Sequence, residues 1–131
     1  MRAWVGAAGL ALAAGGAAAQ SADGLWRTEA NDEGGYLVVE MGPCASDAGR
    51  TCGVIKRAVG ADGENPDYAH LGREIVSGMA PDGPGKWDDG TIWAPDDDKT
   101  YSSSMELSGE VLRVEGCVLF ICRGRDWRRA E

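Results

Sequence analysis

The chain has 131 residues, with 13 basic and 21 acidic side chains and a formal net charge of −8 at pH 7. A small chain of this acidity repels phosphate backbones, so its composition argues against a nucleic-acid partner. The same balance argues against binding to an anionic membrane surface through a basic patch.

The first residues predict a secretion signal. Arg2 gives a positive start, residues 3–12 form an apolar core, and the following residues are small up to Ala19. The apolar run is shorter than the ~20 residues that a membrane-spanning helix needs. We therefore predict a signal peptide over residues 1–19 and one secreted or periplasmic domain over residues 20–131, without membrane insertion after cleavage.

Four cysteines follow the predicted signal: Cys44, Cys52, Cys117 and Cys122. An even number in a small secreted domain predicts disulfides, with three possible pairings, whereas zinc favours close C-x-x-C pairs that are absent here. Along one strand, Cys117 and Cys122 would lie about 16 Å apart at ~3.3 Å per residue. A disulfide needs Cα atoms within about 7 Å, so a bond between them requires the chain to reverse within residues 118–121. Cys44 and Cys52 would likewise staple one hairpin loop, and cross-pairing remains the alternative.

Short apolar and aromatic runs separated by turn residues predict eight strands. They cover residues 24–29, 36–41, 53–57, 73–79, 87–93, 99–107, 110–117 and 122–129. Turn signals that recur roughly every 8–12 residues indicate an all-β fold. Sequential hairpins favour an eight-stranded antiparallel up-and-down barrel, which is just wide enough to be filled by side chains or to hold one small ligand.

The longest connection carries signals for the start of a helix. Asn65 suits a cap, Pro66 suits the first helical position, and Asp67 favours the positive end of a helix. Gly72 suits a left-handed stop. These residues predict a short helical segment over residues 66–71, lying across one end of the barrel.

Several short motifs together resemble a known family. They are Gly24-x-Trp26-x-Thr28, Cys52-Gly53, Asn65-Pro66-Asp67 with Arg73 and Gly78, Trp87, Gly90-x-Ile92-x-x-Pro95, Lys99-Thr100-Tyr101, Leu112-x-Val114-x-Gly116, and Cys122-Arg123 with Trp127. In this order they resemble domain of unknown function 2147, a family of small secreted bacterial proteins. The resemblance implies a lipocalin-like or streptavidin-like barrel, and it supplies no catalytic residues because the family has no general assigned activity. Asp98 replaces a common glycine of the pattern, and the turn at residues 118–121 is more apolar than the pattern.

The two ends of the domain also resemble those of lipocalins. There, a tryptophan of the first strand packs beneath an arginine of the last strand. The resemblance implies that Trp26 packs against Arg128 or Arg129 and closes one end of the barrel. Such a cation–π contact is worth about 1 kcal/mol, and its role is structural.

Motifs for catalysis and metal binding are weak. His70 is the single histidine, and although Ser102–Ser104 offer hydroxyls, a triad also needs a positioned base and an orienting acid. The acidic clusters Asp96–Asp98 and the one around Glu64 lack the regular spacing of a calcium loop. We therefore predict no catalytic residue, no cofactor and no metal, and we rank a carboxylate-based hydrolase below the binding functions.

Two binding functions fit the pattern. The first is a non-enzymatic barrel that holds a small, partly apolar ligand in an aromatic pocket, although the same side chains would serve as a filled core. The candidate pocket residues are Trp87, Trp93, Tyr101, Ser103, Met105 and Trp127. The alternative is a protein-interaction module whose apolar tip, Val118, Leu119, Phe120 and Ile121, docks another protein or a second copy. That tip is expected either to tuck under the helical segment or to face outward.

Overall fold

Residues 21–130 are described by a computed structural model, so the predicted signal peptide lies outside the described residues. Nine strands follow one another. They are β1 (Gly24–Arg27), β2 (Tyr36–Pro43), β3 (Thr51–Gly60), β4 (Gly63–Glu64), β5 (Glu74–Pro81), β6 (Lys86–Ala94), β7 (Lys99–Ser108), β8 (Val111–Val118) and β9 (Ile121–Arg129).

Eight of these strands form a closed antiparallel barrel in chain order. Each pairs with the next, and β1 pairs with both β2 and β9, which closes the sheet. The ninth, β4, has only two residues and forms a short hairpin with the end of β3. The predicted eight-stranded up-and-down barrel is therefore confirmed.

The barrel has two ends, which we name by their connections. The open rim carries residues 28–35, 61–73, 95–98 and 119–120, and the closed rim carries residues 44–50, 82–85 and 109–110. The disulfides Cys44–Cys52 and Cys117–Cys122 lie at the closed and open rims, respectively. Each links cysteines of a single hairpin, with Cα separations of 4.8 and 4.1 Å.

The predicted helical segment over Pro66–Leu71 is wrong, because these residues form successive turns and the part of the chain from 21 to 130 contains no helix. Asn65 still starts a turn: its side-chain oxygen accepts a hydrogen bond from the Asp67 amide at 3.1 Å. Gly72 adopts the expected left-handed conformation, with φ of 85°. A segment of this length is far shorter than the ~12 residues that a marginally stable isolated helix needs, so tertiary contacts decide its shape.

Alternation along the strands fills the closed half of the barrel with apolar side chains. Those with almost no exposed surface include Trp26, Met41, Ile55, Met79 and Leu112. They come from five different strands and converge on one core, as period-two alternation in a closed sheet requires.

An N-terminal segment and the last strand seal the closed rim. Ala22 is buried, and its carbonyl accepts a hydrogen bond from the Trp26 indole at 2.8 Å. The Arg129 guanidinium lies 4.1 Å from the centre of the Trp26 ring, whereas the neighbouring Arg128 is exposed. Arg129 also donates to the carbonyls of Asp23 and Ser21, at 2.8 and 3.1 Å.

Candidate functional site

The residues of the predicted aromatic pocket are divided between different environments. Trp87 and Met105 lie directly opposite each other on β6 and β7, and Trp127 lies opposite Leu112. All four are buried in the core. They fill the closed half of the barrel rather than line an open cavity.

Ser103 and Tyr101 lie further towards the open rim on the same face of β7. The Ser103 hydroxyl is buried and donates to the Glu115 carbonyl on β8 at 2.6 Å. Tyr101 lies opposite Ile92 and is half-buried. The inward hydroxyl of Ser103 is thus satisfied by the sheet itself.

Trp93 belongs to the same buried cluster, but its position on β6 differs because this strand contains a bulge. The register slips between Trp87 and Gly90, and Asp89 in that interval has φ of 63°. Trp87 and Gly90 therefore both face the interior, so Ile92 also faces it and Trp93 projects from the outer face.

Loop side chains bury Trp93 on that outer face. The Arg73 guanidinium lies 3.5 Å from the centre of its ring, and the His70 ring packs against it edge-on at 5.0 Å. The indole nitrogen donates to the Asp98 carboxylate at 2.9 Å. Tyr68 packs edge-on against His70 at 5.3 Å, so the single histidine is held between two aromatic rings.

A cleft of about 390 Å³ opens at the open rim, between the β1–β2 connection, the ends of β2 and β3, and the turn at residues 65–68. Leu37 and Ala58 form its floor, lying opposite each other on β2 and β3. Tyr68 and Pro95 complete its apolar wall. The uncharged polar part of the cleft lining includes Thr28, Asn31 and Asn65.

The cleft is electrostatically one-sided. Its charged lining residues are Glu29, Glu33 and Asp96, and among residues 21–130 no Lys or Arg lines it. Burial, reinforced by the Asp96 charge, raises the pKa of Tyr68 above its ordinary value. The Tyr68 phenol is therefore neutral at physiological pH and is able to donate a hydrogen bond. Glu29 is compensated in part by Arg125, at 3.2 Å.

The apolar tip between β8 and β9 faces outward. The exposed fractions of Val118, Leu119, Phe120 and Ile121 are 55%, 88%, 91% and 66%. Cys117 lies opposite Cys122 and the disulfide joins them directly behind the tip. The tip is presented to solvent and does not plug the barrel.

Among residues 21–130, one group of potential metal ligands brings its atoms together: Glu115, Cys117 and Cys122, all within 4.8 Å of one another. Its two sulfurs are bonded to each other, so they offer no thiolate to a metal. Neither acidic cluster considered above as a calcium site converges in this way.

The fold and motifs identify the family. The family described as an uncharacterized protein conserved in bacteria (DUF2147) matches residues 24–129. The chain belongs to this family. No curated protein matches this DUF2147 chain. Among residues 21–130, no helix is long and apolar enough to cross a membrane.

A solved structure with a similar fold is that of protein HP1028 from Helicobacter pylori, described as belonging to the lipocalin family. The TM-score is 0.66 at 16% identity, over 85% of this DUF2147 chain and 84% of the other. At this identity the likeness establishes the lipocalin-like fold. The two disulfides are consistent with an extracellular or periplasmic location.

The sequence interpretation did not identify the cleft residues. Leu37 and Ala58 were assigned to a strand and a loop, and Tyr68 to the helical segment. Alternation along β2 provided a signal for Leu37, since it shares a face with Val39 and Met41. The predicted up-and-down order places the segment of Tyr68 and the turn of Pro95 at one rim, but no sequence pattern indicated that their side chains would line the same cleft.

Proposed function

We propose that this protein is a non-enzymatic binder of a small, partly apolar ligand in an oxidising compartment, the periplasm or the cell exterior, and that the ligand occupies the cleft at the open rim. The supporting observation is the cleft itself, whose apolar floor of Leu37 and Ala58 is flanked by Tyr68. Binding sites for small molecules combine mostly apolar walls with a few polar groups. The lipocalin-like fold supports the same class of function.

The charges of the cleft limit the class of ligand that it can bind. Glu33 and Asp96 line it, and no basic side chain from the described part of the chain does, so an anionic head group would be repelled. The favoured ligand is neutral or cationic, with an apolar portion that fits between Leu37 and Tyr68. The filled core around Trp87 and Trp127 excludes a ligand from the closed half of the barrel.

A neutral apolar dye, Nile red, tests this proposal. The mature protein is titrated with dye, and fluorescence gives the dissociation constant. Tyr68→Asp places a charge in the cleft wall and is expected to weaken binding tenfold or more. Because the dye also has the exposed tip as a possible site, all titrations use the Phe120→Asp background.

The matched control is Ser108→Asp, which adds the same charge at the closed rim, where Ser108 is exposed. It should leave the dissociation constant unchanged. Equal dye binding by the Tyr68→Asp and Ser108→Asp proteins would contradict the proposed site. Failure of the Phe120→Asp protein to bind the dye would reassign the binding to the tip.

The exposed tip supports a second candidate function, that of an interaction module in which Val118–Ile121 docks another protein or a second copy. Phe120 is 91% exposed, an unusual state for a phenylalanine in a small protein. If copies associate, Phe120→Asp should reduce the mass measured by light scattering to that of one chain. A wild-type mass of one chain at high concentration would reject self-association.

A further inference from the structure

The tip carries four successive apolar side chains into solvent. Val118 and Ile121 form the last pair of the β8–β9 ladder, and Leu119 and Phe120 are the two turn residues between them. More than half of the surface of each is exposed. Contiguous exposed apolar surface of this kind marks an interaction site.

The backbone keeps this surface in a fixed position. Leu119 has φ of 57°, in the left-handed region that glycine or asparagine adopts more readily. The disulfide Cys117–Cys122 joins the two strands immediately behind the turn and so limits the opening of the hairpin backbone there. The turn thus holds a large apolar residue, Leu119, in a conformation that glycine or asparagine adopts more readily.

The size of the tip disfavours a stable protein interface. A stable interface buries about 800 Å² on each partner and uses about 20 to 30 residues a side. Four residues on a single turn are far fewer. A bilayer interface needs no shape complementarity, because apolar side chains enter it individually to a depth of about 5–10 Å.

Two basic residues, Arg123 and Lys99, and one acidic residue, Glu115, lie near the base of the tip. Arg123 lies three residues after Phe120, about 10 Å behind it at ~3.3 Å per residue, and is exposed. Lys99 lines the same outer groove as Val118. Among residues 21–130, no ion pair engages Arg123 or Lys99, whereas Arg125 is paired with Glu29. This spacing suits an apolar tip at acyl-chain depth with cations at the level of lipid phosphates.

We propose that Val118–Ile121 is a membrane-insertion loop, which enters the interface of an anionic bilayer while Arg123 and Lys99 contact lipid phosphates. This departs from the sequence analysis, which argued from the acidic composition against membrane binding and predicted no membrane insertion. Charges farther than about 10 Å are screened at 0.1 M salt, so the overall charge of −8 does not prevent a local contact at the tip. The acidic turn Asp96–Asp98 lies on the same rim and limits the electrostatic contribution, so apolar insertion provides most of the affinity.

Sedimentation with lipid vesicles tests the proposal on the mature wild-type protein. Vesicles contain either phosphatidylethanolamine with phosphatidylglycerol, or phosphatidylcholine alone. We expect binding to both, several-fold tighter to the anionic vesicles at low salt. Phe120→Asp should weaken partitioning tenfold or more, and Ser108→Asp at the closed rim should leave it unchanged. Arg123→Glu should remove the preference for anionic vesicles while partitioning to phosphatidylcholine persists.

Direct evidence of insertion comes from Phe120→Trp, with lipids that carry bromine on their acyl chains. Quenching of the added tryptophan, relative to the wild type, is expected if the tip reaches the acyl region. Absence of vesicle binding by the wild type, or equal binding by Phe120→Asp, would overturn the proposal. If the wild type forms a dimer and does not bind vesicles, the tip would instead be a contact between two copies of the chain.

Discussion

The Arg129 guanidinium lies over the Trp26 ring at 4.1 Å and donates to two carbonyls of the N-terminal segment. One side chain thus joins the last strand, the first strand and the residues that cover the closed rim. The contact links the two ends of the described chain, and it forms only once the barrel has closed.

Replacing Arg129 with alanine should lower the free energy of unfolding by about 2 kcal/mol, from a cation–π contact of about 1 kcal/mol and hydrogen bonds of similar size. Urea denaturation measures the change. Arg128→Ala is the matched control, since Arg128 is exposed on the adjacent position, and it should shift stability by less than about 0.5 kcal/mol. Equal effects of the two variants would show that the Trp26 contact contributes nothing.

Gly90→Ala should destabilise the barrel by about 1–3 kcal/mol, because the new methyl group overpacks the interior. A Cβ at Gly90 would lie 2.7 Å from the Met79 sulfur and 2.7 Å from the Ser77 carbonyl oxygen. The carbonyl belongs to the neighbouring strand and cannot move without disturbing the sheet. Gly42→Ala meets nothing within 4 Å and should be neutral or slightly stabilising by the same urea measurement.

Removing each disulfide should have a different effect. The double variant of Cys117→Ser and Cys122→Ser should lower the free energy of unfolding by about 2 kcal/mol, which is the loop-closure entropy of a short ring. Little further loss is expected at Cys122, because this site is exposed and the serine hydroxyl is solvated there. The double variant of Cys44→Ser and Cys52→Ser should lose more, since both sites are buried and the hydroxyls would be poorly solvated. Thermal unfolding of the two variants checks this order, and the reverse order would contradict it.

Stability should fall at high pH partly because of Tyr68. Its pKa is raised in the folded protein by burial and by Asp96, so the unfolded chain releases this proton at lower pH. The contribution of Tyr68 to the free energy of unfolding is complete below its pKa in the unfolded chain, about 10. It is lost as pH rises through its pKa in the folded protein. Tyr68→Phe should therefore flatten the loss of stability between about pH 9 and 11. A difference between wild type and variant that is constant with pH would refute this assignment.

Strand number and order were predictable because alternation and turn residues act locally. The sequence Ser108-Gly109 predicts a tight hairpin, and the structure has it one residue later, at Gly109-Glu110, because Ser108 pairs with Val111. The cysteine spacing demands a second hairpin, which the closed sheet also contains. The prediction of a helical segment was wrong because local signals do not determine the whole of that connection. Asn65 and Gly72 behave as their sequence signals indicate, but aromatic contacts through His70 and Trp93 determine the path between them.

The candidate site was harder to predict because one bulge changes the phase of a strand. Trp87 and Trp93 would share a face in a regular strand, and the extra residue near Asp89 sends Trp93 outside. The sequence Asp88-Asp89-Gly90 indicated an interruption of the strand, but it did not show to which face Trp93 would turn. The cleft residues Leu37 and Tyr68 come together only through the closed topology, which no local pattern encodes.

The joint between β1 and β9 is narrow. It contains two residue pairs, Trp26 with Arg129 and Arg27 with Arg128, whereas β8 and β9 share eight. Local opening begins where the fewest backbone hydrogen bonds must break, so we expect unfolding to start with the separation of β1 from β9. Folding would follow the opposite order: each disulfide-bonded hairpin can form from its own residues, and the barrel closes last, when β1 pairs with β9.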